Sequence, residues 1–539
     1  MKDYDEATAF LGQWGRFQQV VFFLLCLSIV PDGFVFSVVF LTDTPKHHCL
    51  VPEVNLTQDW LDAIIPVEVE LSRCSRYRLD EVRNLSARGL VPGRDVNLTD
   101  LGQEGCVDGW SYSRDIYQST IVTEFDLVCN EEWKQPLTST IFFLGVLCGS
   151  FIAGQLSDRF GRKPVLFVTM AVQVIFTIIE MFSPSWTVFV IFLFFNGLGQ
   201  VSNFVSGFVL GTEILAGNVR VLFSSLGVCV AFAIGYMFLP VFAYFLRSWT
   251  SLLFGLALPG LVYIPLWWFI PESPRWGQKK KAILRKAANI NKVEAPEVIF
   301  EDYMAYVSPV IQQVTLWETL TVIAITTIKQ RLHRYLLICL PRFTLSTGYY
   351  GLSLNTSQLH ADPYISCFIS AAVEVPAYIS SWLALRYLRR KLSVISILIL
   401  GALSLYFIQL VPQELSYLSV ALEMLGKFAI TTGTSLMFVY TAEIYPTVIR
   451  NTATGTCTTF SRMGGCIAPF LLKLSAYVAY LPYITLGTLA LGSAFGALFL
   501  PETLGKPLPQ TIQQMHKMEG WYTNYPGKQF KSLNTEKNV

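Results

Sequence analysis

The sequence predicts an all-α membrane protein with twelve transmembrane helices in two six-helix bundles and a large Cys-rich extracellular loop after helix 1. Three observations carry this reading. The chain of 539 residues is 53% hydrophobic and 14% aromatic but only 14% charged, too apolar for a water-soluble domain. Apolar runs of spanning length start near residues 17, 137, 165, 187, 221, 251, 335, 365, 393, 416, 453 and 480. The chain also repeats itself: Glu213-Ile214 with Arg220 recurs 230 residues on as Glu443-Ile444 with Arg450, and Pro271-Glu272 recurs at the same offset as Pro501-Glu502. Two parallel halves place a binding cavity between them near the bilayer midplane.

Taken in order, residues 1–42 hold the N-terminus and helix 1. The N-terminus lacks a basic n-region and the first apolar run is too long for a signal peptide, so this run stays as a span. Asp32, in Pro31-Asp32-Gly33, falls mid-membrane, where proline and glycine can break a helix and line a cavity. Residues 43–135 form the loop. Its four cysteines, Cys49, Cys74, Cys106 and Cys129, predict two disulfides in any of three connectivities. Sequons at Asn55, Asn84 and Asn97 make the loop a candidate glycosylated, extracellular segment. Residues 136–270 are helices 2–6, and 271–333 a polar cytosolic segment of amphipathic helices carrying Lys279-Lys280-Lys281. Residues 334–500 are helices 7–12, and 501–539 a cytosolic tail.

Basic residues in the short connections, Arg159, Arg162, Lys163, Arg220, Arg386, Arg389, Arg390, Lys391 and Arg450, put those connections and both termini in the cytoplasm. The net charge of +2 and the absence of a basic face argue against nucleic acid as a partner. Five histidines, none on a spanning helix with a second ligand at metal spacing, argue against a metal site and a membrane enzyme.

The stretch from about 452 to 478 is apolar enough to span, yet carries Arg462 at its centre. A guanidinium at that depth costs roughly 2.5–3.5 kcal/mol on insertion scales, so it needs a partner. It is either an anion-binding group, suited to a carboxylate by its planar fork, or a structural arginine neutralised by a glutamate on a neighbouring helix.

The run Gly154-Gln155-Leu156-Ser157-Asp158-Arg159-Phe160-Gly161-Arg162-Lys163 resembles the signature loop of the major facilitator superfamily. Its Asp158, Arg159 and Arg162 are candidates for holding the cytosolic ends of the bundles together. The Cys-rich loop, Pro271-Glu272-Ser273-Pro274-Arg275-Trp276 and Tyr440-Thr441-Ala442-Glu443-Ile444-Tyr445-Pro446-Thr447 make the chain similar to the organic cation, anion and zwitterion transporter family. Within it the carnitine and ergothioneine branch is nearest, on Asp3 to Gly12, Tyr117 to Cys129, Gly199-Gln200-Val201-Ser202-Asn203 and Tyr349-Tyr350-Gly351-Leu352-Ser353-Leu354.

The resemblance implies that Arg462 recognises a substrate carboxylate. It also implies that Glu374, in helix 8, faces a substrate ammonium, unless Glu374 and Arg462 pair with each other. Phe204, Tyr236, Tyr349, Tyr350, Phe438 and Tyr440 are aromatic candidates for the ammonium, with Tyr349 and Tyr440 foremost. Gln200 and Asn203, one turn apart in helix 4, are implied in substrate or sodium binding; taken alone they are also suited to interhelical hydrogen bonds. Asp32 joins them as an ion-coupling candidate, where relatives carry Asn. Glu213 with Arg220 and Glu443 with Arg450 either only anchor helix ends or also form gate ion pairs that break as the inner gate opens.

The implied activity is sodium-coupled carnitine uptake at the plasma membrane by alternating access, with sodium as co-substrate and no other cofactor. Ergothioneine transport and facilitated organic cation transport are the near rivals; a non-transporting receptor or scaffold is the distant one. The chain departs from its relatives at Gly277-Gln278, where the cytosolic segment is short, and in helix 7 at His333-Arg334-Tyr335 and Pro341-Arg342. It also has no Gly-Lys-Ser/Thr after helix 4 and ends in Lys537-Asn538-Val539, so neither a phosphate cradle nor the relatives' scaffold-binding tail is expected.

Overall fold

A computed structural model describes residues 9–12, 14–52, 56–67, 72–263, 265–273, 280–294, 332–358, 362–412, 415–445, 450–478 and 480–504. Asn55, Gly277-Gln278, the side chain of Arg450 and the tail beyond residue 504 lie outside that description.

Eight helices among the described residues are long and apolar enough to cross a membrane: α1 (Arg16–Leu41), α2 (Lys134–Phe160, within the span Cys129–Phe160), α3 (Arg162–Glu180), α4 (Trp186–Ile214), α5 (Gly217–Phe245), α6 (Trp249–Phe269), α8 (Pro363–Tyr387) and α9 (Arg390–Leu410). Between α6 and α8 lies α7 (Leu332–Leu354), and after α9 come α10 (Ser416–Ile444) and α11 (Arg450–Lys473), all three long but richer in polar groups. A shorter apolar helix, α12 (Leu481–Ala497), follows.

Helix α1 changes character where the sequence places Pro31-Asp32-Gly33: Val30–Ser37 winds as a 3-10 helix between α-helical ends. Proline removes one backbone donor there. Gly33 and Gly235 let α1 cross α5 backbone to backbone. A Cβ on Gly33 would run into the Tyr236 amide and Phe232 carbonyl, and one on Gly235 into the Val30 carbonyl. In α7, by contrast, the helix runs unbroken through Pro341-Arg342.

The segment between α1 and α2 folds as its own small unit. Strand β1 (His47–Cys49) pairs antiparallel with β4 (Trp110–Tyr112), and β2 (Ser75–Tyr77) with β3 (Gln103–Gly105). Disulfides join Cys49 to Cys106 and Cys74 to Cys129, one of the three possible connectivities. Buried Trp60, Ile64, Tyr77 and Val82 make its core. Buried Arg76 ties the strands together through Glu104 at 3.0 Å and Asp108 at 2.6 Å. Asn84 and Asn97 are exposed on this unit.

At the other end of the bundles the two halves build the same device twice. The N-terminus of α3 offers unpaired backbone N–H groups, and Glu272 accepts from the amides of Arg162 and Lys163, each at 3.1 Å. In the second half, Glu502 accepts from the amides of Arg390 at 2.9 Å and Lys391 at 3.2 Å. Arg162 turns back to Glu213 (3.1 Å) and Asp158 (2.6 Å), and Arg390 to Glu443 (3.3 Å). The repeat in the sequence is thus a repeat of capping carboxylates and of helix-end ion pairs.

One gate expectation needs correction, and another falls partly outside the described residues. The partner of Glu213 is Arg162, whereas Arg220 donates Nε to the Leu215 carbonyl at 2.9 Å; Glu443 pairs with Arg390, and the side chain of its expected partner Arg450 lies outside the described residues. The ion pairs of Arg162 with Glu213 and Asp158, and of Arg390 with Glu443, each lie within one half. Arg159 is exposed, its guanidinium over Phe160. The reason is local: a carboxylate in the same half already lies within reach of each arginine.

Contacts that cross between halves lie elsewhere. At the disulfide end Tyr364 donates to the Ile116 carbonyl at 3.0 Å, Phe40 stacks on Tyr364, and Lys473 pairs with Glu132. Midway, Thr140 donates to the Cys466 carbonyl at 3.0 Å and Phe143 packs on Tyr350 with ring centres 4.7 Å apart.

Candidate functional site

Five ionisable side chains fall near the middle of long helices: Asp32 on α1, Arg342 on α7, Glu374 on α8, Lys427 on α10 and Arg462 on α11. They form three groups.

The first lies in the first half. Asn203 donates Nδ2 to both carboxylate oxygens of buried Asp32, at 3.1 and 3.3 Å, and to the Ser28 carbonyl at 3.3 Å. Gln200, one turn earlier on α4, donates to the backbone carbonyls of Asp32 at 3.1 Å and Pro31 at 3.4 Å. The 3-10 segment supplies these carbonyls, so the helix break and the two amides form one polar cluster. The Asn203 Oδ1 is buried without a hydrogen-bond partner. A small cavity beside it is lined by Pro31, Met170, Gln173, Thr177, Asn203 and Tyr263. A carboxylate, a free amide oxygen and backbone carbonyls are the oxygen donors a hard cation takes.

The second group spans the two halves. Glu374 is fully buried, and its partner is Lys427 at 3.3 Å rather than Arg462, which removes the alternative in which Glu374 and Arg462 pair with each other. The Lys427 ammonium gives its hydrogen bonds to Ser370 Oγ (2.6 Å), Ser353 Oγ (2.9 Å) and Tyr236 OH (3.5 Å). The Glu374 Oε1 is therefore held by charge without a hydrogen bond, while Tyr378 donates to Oε2 at 3.4 Å. Three rings surround the ammonium, those of Tyr236 (4.7 Å), Tyr349 (5.6 Å) and Phe36 (5.7 Å). An aromatic cage for a cation is thus present, filled by a side chain of the protein itself.

The third group is Arg462 with its neighbours. Its Nη1 donates to Tyr350 OH at 2.9 Å, and among the described residues it has no carboxylate partner. Tyr350 packs on Tyr349 with ring centres 5.4 Å apart, so the arginine and the Glu374–Lys427 pair flank one tyrosine pair. Arg342 donates Nη2 to Thr458 Oγ1 at 3.1 Å, one turn before Arg462, and lies 5.2 Å over the Phe438 ring.

Of the residues expected at the substrate or ion site, the structure brings Arg462, Glu374 and Tyr349 to one region, and Gln200, Asn203 and Asp32 to another. Tyr440 belongs to neither. It is buried at the far end of α10 and donates to the Pro501 carbonyl at 2.5 Å, close to Glu443 and Glu502. Phe204 packs with Phe232 in the first half. Lys427 was missed, as was Glu423 one turn before it, which accepts from Asn355 at 3.1 Å and Tyr483 at 2.8 Å. The signal was available for both, since an ionisable residue inside a spanning run is a site by default.

The sugar (and other) transporter family profile matches residues 111–515. The chain belongs to that family. Within it the chain joins the organic cation/carnitine transporter branch of the major facilitator superfamily. It is 50% identical over 535 residues to the organic cation/carnitine transporter 2 of Rattus norvegicus, covering 96% of this chain and 95% of that protein. The Homo sapiens protein of the same name is 49% identical over 538 residues, with the same coverages. Solute carrier family 22 member 4 of Mus musculus is 49% identical over 539 residues, covering 97% and 96%. Among solved structures, the inward open xylose transporter XylE from E. coli aligns with a TM-score of 0.59 at 14% identity, covering 93% of this chain and 99% of that one, which shows the fold. This family member is a membrane solute transporter and not an enzyme.

Proposed function

We propose that the chain takes up small zwitterions across the plasma membrane by alternating access, with carnitine as the first substrate and sodium as the coupled ion. The single observation that carries this reading is Arg462, a mid-helix guanidinium whose hydrogen bond goes to Tyr350 and not to a carboxylate. In a membrane interior such a charge is stabilised by a ligand anion. A substrate carboxylate takes that place, and the tyrosine pair carries the rest of the ligand toward the Tyr236, Phe36 and Tyr349 cage. The substrate ammonium then competes with Lys427 for Glu374 and the rings, so binding loosens the contact between halves that Lys427 makes with Tyr236.

Sodium sits between the Asp32 carboxylate and Asn203, whose amide turns over to present Oδ1. Twelve helices span the bilayer, the disulfide unit is extracellular and glycosylated at Asn84 and Asn97, and both termini are cytoplasmic, as the placement of Lys and Arg requires. The relatives named for organic cation and carnitine transport support this substrate class. The contacts between halves at the disulfide end, Tyr364 with Ile116 and Lys473 with Glu132, support an inward-facing arrangement.

Uptake of labelled carnitine and ergothioneine, side by side, with sodium present and then replaced by choline, tests the reading. Sodium-dependent carnitine uptake is expected. Sodium-independent uptake removes the role of Asp32 and Asn203, and preferential ergothioneine uptake changes the substrate.

A further inference from the structure

Arg342 is left over by that mechanism. It lies midway along α7 and is buried, with 7% of its surface exposed. Of its five N–H donors, one reaches Thr458, and Nε is buried with no partner at all. Among the described residues no carboxylate pairs with it: Phe438 lies under the guanidinium, and the thiols of Cys339 and Cys457, 3.3 Å from one another, flank it.

The other mid-helix charges are accounted for. Asp32 is held by Asn203 in the other half, and Glu374 faces Lys427. Arg342 and Arg462 remain as two cations without carboxylates, within electrostatic reach of each other. Thr458, which binds Arg342, precedes Arg462 by one turn of α11, a rise of about 6 Å. One substrate carboxylate neutralises one of them. A buried guanidinium with most of its donors unspent calls for a second acceptor of the same kind.

We propose that Arg342 and Arg462 form a two-point site for a small organic substrate bearing two carboxylates, one on each guanidinium. The favoured class is a zwitterion that carries a second acid, such as the half-ester of carnitine with a dicarboxylic acid. Its ammonium occupies the aromatic cage, its first carboxylate Arg462, and its terminal carboxylate Arg342. The inference rests on the reading of Arg462 as a carboxylate site.

The test compares two esters of carnitine that differ by one carboxylate, the glutaric half-ester and the butyric ester. Each competes against labelled carnitine in cells expressing the full chain, and each is added to the purified protein in detergent while its thermal unfolding is followed. The half-ester is expected to act at about tenfold lower concentration than the butyric ester. That ratio falls toward one in Arg342→Gln and is partly kept in Arg342→Lys.

Equal action of the two esters on the wild-type chain overturns the proposal whether or not the variants fold. A ratio unchanged by Arg342→Gln overturns it as well. If carnitine itself does not enter cells, the unfolding measurement still reads the two-carboxylate site, so failure of the carnitine reading and failure of this one are distinguished.

Discussion

Glu374 and Lys427 show how much one residue's partner decides at the midplane. Both are buried, and each is tolerated there because the other is present. Removing one leaves an uncompensated charge, which costs about 3–5 kcal/mol in buried pairs, while removing both costs far less. Lys427→Met alone should therefore lower the unfolding temperature of the purified protein sharply, and Lys427→Met with Glu374→Gln should recover most of the loss. Equal destabilisation by the single and double variants would show that the two side chains are not coupled. The sequence exposed Arg462 and Glu374 because both interrupt apolar runs. Lys427 obeys the same rule, and recognising it would have supplied Glu374 with a partner other than Arg462. Tyr440 was misplaced for a different reason. It lies four residues from the end of α10, too close to the helix terminus to reach a midplane ligand, and its motif belongs to the Glu443 cluster.

At the scale of the element, helix α1 is shaped by its crossing with α5. Gly33 and Gly235 stand where the two backbones meet, and the 3-10 turn from Val30 to Ser37 delivers the Pro31 and Asp32 carbonyls to Gln200. Substituting Gly235 by Val drives a side chain into the Val30 carbonyl. It should abolish surface expression, measured by antibody or biotin labelling of intact cells. Gly492→Ala, where a Cβ meets open space on α12, should leave expression unchanged. Normal expression of the Gly235 variant would mean that the helices separate at little cost. Pro31-Asp32-Gly33 announced this break in the sequence, but the pairing with α5 was not legible, because a glycine does not reveal which backbone it admits. Pro341 in α7 carried a similar signal and left its helix intact, with Arg342 held sideways by α10 and α11 instead.

Across the whole molecule, the offset of 230 residues between the halves was readable from two short matches, and the structure gives it physical content. Glu272 and Glu502 cap the N-termini of α3 and α9, and Glu213 and Glu443 hold Arg162 and Arg390. The partners themselves could not be read, since the arginines lie 51 and 53 residues from their acids. The disulfide unit behaved likewise: four cysteines foretold two bridges, and the choice of Cys49–Cys106 and Cys74–Cys129 is visible only in the folded unit.

The central claim is that the unneutralised Arg462 takes the carboxylate of the transported zwitterion. Uptake of labelled carnitine by Arg462→Ala, measured beside surface expression of the same variant, tests it most directly. The account predicts that uptake is lost, by roughly a hundredfold or more for a charge-assisted contact closed off by the bound substrate, while the protein reaches the surface in normal amount. Uptake retained at the wild-type level would contradict it and return Arg462 to a structural role.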